Sequence, residues 1–85
     1  MAERLKKIQR VQTGVRLEKK LLKVLKALAA EKEMGLGDLI EGIVLHAFAG
    51  KTPFQPETLA FISRISAAYG LDLEAADSHR MIEED

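Results

Sequence analysis

The chain contains no cysteine, so neither disulfide bonds nor a thiolate metal site can stabilise it. It also has no apolar run that approaches the ~20 residues of a membrane span, and no apolar stretch of signal-peptide type near its N-terminus. These absences predict a cytoplasmic protein that makes no membrane contact. With 85 residues the chain forms one small domain with a limited core, and oligomerisation is a usual remedy at that size.

Catalytic motifs are missing as well. The sequence offers no cysteine nucleophile, no histidine paired with a plausible serine, no phosphate-binding glycine motif and no metal-ligand spacing. His46 lies beside the apolar face of the second helix and is expected to be a packed or half-exposed histidine and not a ligand, and the acids near His79 match no metal site. We therefore expect no enzyme activity, no cofactor and no metal.

The net charge of zero conceals a strong asymmetry. Residues 1–32 carry ten basic and three acidic residues, a net charge of +7, whereas residues 33–85 carry three basic and ten acidic residues, a net charge of −7. This separation indicates that one end meets a polyanion, although a solvated lysine face and an acidic solubilising tail would give the same pattern.

Residues 11–17 alternate between apolar or β-branched and polar or small side chains, which predicts a half-buried strand. The sequence shows no second strand pattern, so we expect this strand to pair with the same strand of a second chain. A first helix is predicted over about Lys19–Glu33, with Glu18 a poor N-cap. Its four lysines are expected to form a solvated face, with Lys19 or Lys20 as the alternative phosphate contacts.

A second helix is predicted to begin at Leu36 and to be terminated by Gly50. Gly35 is its expected N-cap, and the side chain of Asp38 is expected to reach back to Gly35 in the manner of a capping box. Gly42, inside this helix, is expected near a helix crossing or a dimer axis. A third helix is predicted to begin at Gln55-Pro56 and to end at Gly70, with a short helix from Leu71 to about His79. Phe61 lies outside the apolar face of the third helix. The segment 54–73, which contains this helix, is expected to fold against the second helix.

The order strand, helix, glycine turn and helix resembles the ribbon-helix-helix family, the DNA-binding fold of the Arc, MetJ and CopG repressors. The resemblance covers about residues 10–50. It rests on the strand segment Thr13-Gly14-Val15-Arg16-Leu17, on the apolar face formed by Leu21, Leu25 and Leu28, and on the glycine turn and second-helix start at residues 34–40. It implies a mostly α fold in which one N-terminal strand pairs antiparallel with that of a second chain. A flexible basic arm (1–9) would precede this core, and a helical extension with an acidic tail (51–85) would follow it.

The resemblance also implies functional residues. Base contacts in the major groove would come from Gln12, Gly14 and Arg16, although Gly14 departs from the family pattern because it has no side chain. Phosphate contacts would come from Arg4, Lys6, Lys7 and Arg10 in the arm and from Gly35, Leu36 and Gly37 at the second helix. The dimer core would contain Thr13, Val15, Leu17, Leu21, Leu25, Ile40, Gly42 and Ile43.

These features predict a bacterial or phage, homodimeric, sequence-specific repressor of transcription that inserts a β-ribbon into the major groove of double-stranded DNA, with higher-order association on DNA left open. One alternative is the antitoxin of a toxin–antitoxin pair, whose C-terminal extension binds a protein partner. Another is a structural oligomerisation domain that never touches DNA. Salt-dependent duplex binding separates this last alternative from the main hypothesis.

Overall fold

The computed structural model describes residues 5–84, which form three α-helices and one short 3-10 turn. These elements are α1 (Lys19–Glu31), α2 (Leu36–Phe48), α3 (Pro56–Tyr69) and the 3-10 turn Ala75–Asp77. None of these helices is long and apolar enough to cross a bilayer. The three helices begin within a residue or so of their predicted starts.

Each α-helix ends in a Schellman motif, in which a residue in the left-handed conformation turns the chain, and its own amide and the amide of the next residue donate to carbonyls of the last turn. At α1 the left-handed residue is Glu33, with φ of 55°, and the Met34 amide donates to the Ala29 carbonyl at 3.0 Å. At α2 and α3 it is Gly50 and Gly70, as predicted. The motif explains why α1 ends at Glu31 and not at the predicted Glu33.

The helix starts differ from expectation in their caps. Glu18 does act as the N-cap of α1, because its Oε1 accepts a hydrogen bond from the Leu21 amide at 2.8 Å. Gly35 is the N-cap of α2, but no side chain caps it, and Asp38 turns towards Arg10 instead. The prediction of a poor cap at Glu18 and of a capping role for Asp38 was therefore wrong.

The core of the described chain is small and centred on α1. Within residues 5–84 only Val24, Leu28, Ala29 and Leu39 are buried, and Leu28 is 2% exposed. Side chains from all three helices pack against the cluster of Leu28, Ala29 and Leu39, together with one from the loop before α3; they are Leu25, Ile43, Phe61 and Ile62 on the helices and Phe54 in the loop. Phe61 thus packs against the core, although the spacing of apolar residues in the third helix placed it outside the apolar face of that helix.

Helix α1 packs against both of the other helices, whereas α2 and α3 do not pack against each other within residues 5–84. The expectation that the C-terminal extension folds against the second helix was therefore wrong, since α3 lies along α1. The predicted short helix after Leu71 is reduced to the 3-10 turn, which the side chains of Glu74 and Asp77 cap reciprocally.

The predicted N-terminal strand is absent. All regular elements among residues 5–84 are helical, with no strand or sheet, and residues 5–17 have no regular secondary structure. Within the described part of the chain, these residues have no backbone partner outside their own segment, and a strand exists only when its N–H and C=O groups pair with another. The ribbon-helix-helix fold class is therefore contradicted: alternation along 11–17 gives an extended segment, not a strand.

We predict that Leu28→Ala lowers the free energy of unfolding by about 2–5 kcal/mol, because it leaves a cavity at the most buried position of the core. Ile82→Ala is the control, since Ile82 is 94% exposed and its loss should change stability by less than about 0.5 kcal/mol. Urea unfolding followed by circular dichroism measures both. Equal effects in the two variants would contradict a core centred on Leu28.

Candidate nucleic-acid interface

The residues before α1 form the N-terminal segment, defined here as 5–18. Gln12, Gly14 and Arg16, the predicted base contacts, are all exposed on it. So are the predicted phosphate contacts Lys6 and Lys7, whereas Arg4 lies outside the described residues. The segment therefore presents its polar and basic groups to solvent, where a polyanion could reach them.

The predicted dimer-core residues divide into two groups. Within this chain, Leu21, Leu25, Ile40, Gly42 and Ile43 are half-buried, and two of them, Leu25 and Ile43, pack against the chain's own core. Thr13, Val15 and Leu17 are exposed, with Val15 at 74%. Gly42 has no atom of a neighbouring element within 4 Å of where a Cβ would stand, so it is not at a helix crossing within the chain.

Arg10 ties the N-terminal segment to α2. Its Nε and Nη2 donate to the two carboxylate oxygens of Glu41 at 3.0 Å each, and Nη2 lies 3.7 Å from Asp38. The hydrogen bond from Arg10 lowers the pKa of Glu41 and raises that of Arg10. Arg10, predicted as a phosphate contact, is thus engaged by carboxylates in the free chain.

This tie closes one side of an open groove of about 1070 Å³. The groove runs between residues 8–15 and the facing surfaces of α1 and α2, and its lining includes Leu22, Lys26 and 35–38. The predicted phosphate contacts Gly35, Leu36 and Gly37 therefore lie beside the N-terminal segment. However, the carboxylates of Asp38 and Glu41 also line the groove, and they oppose binding of an anion at these amides.

Arg16 forms an exposed ion pair with Glu83 of the acidic tail. Both side chains are more than 60% exposed, so the pair contributes little to stability and is weakened by salt. The contact nevertheless places a tail carboxylate on the arginine that the sequence predicted to read bases. An anionic ligand of Arg16 would have to displace it.

Four lysines form what we call the lysine face of α1. These residues, Lys19, Lys20, Lys23 and Lys26, are all exposed and occupy the side of the helix away from Leu21 and Leu25. Lys23 Nζ lies 6.0 Å from the ring centroid of Tyr69, and Lys20 Nζ lies close to Gly70 at the C-terminal end of α3. Lys26 lines the groove. The face thus connects the N-terminal segment to the end of α3.

The sequence identified these lysines only as a solvated helix face, with Lys19 or Lys20 as alternative phosphate contacts. The structure adds their position next to the exposed basic segment. No local motif marks them, and the only signal in the sequence is the charge excess of residues 1–32.

No protein-family model, curated protein or solved structure matches this chain.

We predict that Glu18→Ala lowers the melting temperature at pH 7, because the Glu18 carboxylate caps the helix that carries the lysine face. Its hydrogen bond from the Leu21 amide lowers the pKa of Glu18 below the ordinary 4.5. A carboxylate with a lowered pKa stabilises the fold above its ordinary pKa, and that stabilisation is lost as the pH falls through the lowered value. The difference from the wild type should therefore shrink in acid.

Glu31→Ala, at the other end of α1, is the matched control and should not lower the melting temperature at pH 7. Thermal unfolding at pH 7, 5 and 3 tests both variants. A Glu18→Ala effect that is the same at all three values would show that the carboxylate charge is not involved.

Proposed function

We propose that this chain binds double-stranded DNA as a homodimer and regulates transcription in a sequence-specific manner. The observation that carries the proposal is the exposure of the basic half. All nine basic residues between positions 5 and 32 are exposed, and in the described chain only Arg10 and Arg16 form ion pairs. The remaining seven are lysines: two on the N-terminal segment, four on α1, and Lys32 directly after α1.

Double-stranded DNA suits this surface because its phosphates attract a run of exposed lysines and release counterions when the lysines bind. Lys6 and Lys7 on the N-terminal segment and the lysine face supply such charges from two neighbouring elements. Residues 33–85, which carry the net negative charge and end in the acidic tail, would be repelled from the duplex. The charge separation would therefore orient the protein on DNA before any base is contacted.

Base recognition is assigned to Gln12 and Arg16. Arginine can bind guanine O6 and N7 with two hydrogen bonds, and glutamine can bind adenine N6 and N7 in the same manner. Both side chains are exposed and two of their neighbours, Thr13 and Gly14, are small. Binding would exchange the Arg16–Glu83 ion pair for a contact with DNA, at a modest cost because that pair is exposed.

We predict that the double variant Lys6→Ala/Lys7→Ala weakens binding to all duplexes alike and reduces the steepness of the salt dependence by about 0.9 for each phosphate that is no longer neutralised. Lys51→Ala is the control, because Lys51 is an exposed lysine in the acidic half and its removal should leave affinity unchanged. Fluorescence anisotropy with a random-sequence duplex at several salt concentrations measures both. Wild-type protein that binds no duplex at low salt would refute the proposed function.

We predict that Arg16→Ala relaxes sequence preference at one position of each half-site, at a cost of about 1–3 kcal/mol for the preferred sequence and little for random DNA. The preferred sequence is first selected from random duplexes with the wild-type protein. Equal losses of affinity on selected and random DNA would mean that Arg16 contacts phosphate and not bases.

The acidic tail supports a second candidate, in which the chain is the antitoxin of a toxin–antitoxin pair. Met81 and Ile82, directly before the acidic residues Glu83 and Glu84, are 52% and 94% exposed, a composition suited to a protein partner. Copurification with the product of an adjacent gene tests this candidate. Loss of that copurification after Ile82→Ser, with DNA binding retained, would assign the tail to the partner.

A further inference from the structure

One row of apolar side chains on α2 is exposed to solvent at the C-terminal end of the helix. Leu36, Ile40, Val44 and Phe48 follow one another at intervals of four residues and so lie along one side of the helix. Leu36 and Ile40 are half-buried and line the groove, whereas Val44 is 39% exposed and Phe48 is 83% exposed. We call these four residues the apolar row.

The apolar row is distinct from the side of α2 that packs in the core. Leu39 is buried in the core cluster and Ile43 packs against it, so these residues already have partners within the chain. Among the thirteen residues of α2 only Asp38, Glu41 and His46 carry polar side chains. A helix this apolar is ordinarily covered on more than one side, and here the chain covers only one.

We infer that the apolar row is covered by a second copy of this chain. A folded protein of 9.4 kDa exposes about 5,000 Å², and this chain exposes 7942 Å². The extended N-terminal segment accounts for part of the excess. A stable homodimer buries roughly 1,000 Å² or more from each subunit, so the excess is large enough for such an interface.

The row also suits pairing with itself. A two-fold axis places the same surface on both sides of an interface, so that surface must tolerate its own copy. None of the four side chains is charged, and the carboxylate of Glu41, which flanks Val44 and Phe48, is paired with Arg10, so two rows can meet antiparallel with little repulsion between like charges. The groove, lined at one end of the row by apolar residues such as Leu22 and Val15, continues the same apolar surface.

This inference concerns the homodimer of the proposed function and is tested without DNA. We expect the wild-type protein to sediment as a dimer, with a melting temperature that rises with protein concentration. Phe48→Ser should raise the dimer dissociation constant at least about tenfold. Leu59→Ser, at a 47% exposed position on α3, is the matched control and should leave the dissociation constant unchanged.

Gly42→Ala provides a second, independent measurement. Gly42 lies on the other side of α2 from Val44 and Phe48, and a Cβ there would meet no atom within 4 Å of it. Alanine is also the better helix former. We expect Gly42→Ala to keep the dimer and to raise the melting temperature, whereas a dimer axis at Gly42 would make it dissociate.

Three results would overturn the inference: a monomeric wild-type protein at all concentrations, a Phe48→Ser dimer as tight as the wild type, or dissociation by Gly42→Ala. If Phe48→Ser unfolds at low concentration and regains helicity at high concentration, dimerisation through the row is supported, because Phe48 has little contact within its own chain. Anisotropy on the same samples tests DNA binding separately. A dimer that binds no duplex overturns the proposed function alone, and a DNA-binding dimer that Phe48→Ser leaves as tight as the wild type overturns the row alone.

Discussion

The burial of Leu28 is the constraint on which the rest of this fold depends. It lies on α1, the only helix that packs against both others, and the cluster around it receives side chains from α2 and α3. Since the backbones of α2 and α3 do not come close within residues 5–84, each is held against the core mainly by α1. The core is consequently narrow, and large apolar side chains remain exposed at both ends of the chain and along α2.

The charges of the molecule follow from the same arrangement. The buried side of α1 faces the other two helices, so its lysines point to solvent beside the N-terminal segment. The two arginines of that segment, Arg10 and Arg16, instead pair with acids from residues 33–85, namely Glu41 and Glu83. Between residues 5 and 32, the basic side chains that form no ion pair are thus all lysines. This division suits a surface on which lysines provide general attraction to a polyanion and arginines are released for more specific contacts.

Helices were predictable from this sequence because their signals are local. Spacing of apolar residues, Pro56 at a first turn, and Gly50 and Gly70 after last turns gave boundaries that the structure confirms. Long-range relations were not predictable in this way. The packing of α3 on α1 and the core position of Phe61 depend on which helices meet, and spacing within one helix carries no such information.

The N-terminal segment and the candidate interface show the same limit. Alternation along 11–17 is compatible with a strand, but a strand also needs a partner, and residues 5–84 provide none. The exposed basic residues of the interface were predictable from charge alone. The engagement of Arg10 by Glu41 was not, because 31 positions separate the two residues and no pattern relates them.

The turn after α1 is less well suited to its backbone than the turns after the other helices. The left-handed residue there is Glu33, whereas α2 and α3 use glycine at the equivalent place. A side chain in this conformation is unfavourable by about 1–2 kcal/mol, and α2 depends on this turn for its direction away from α1. Position 33 is therefore one at which the natural residue is not the most stable choice, and a glycine or asparagine there would strengthen the link between two helices without altering either surface.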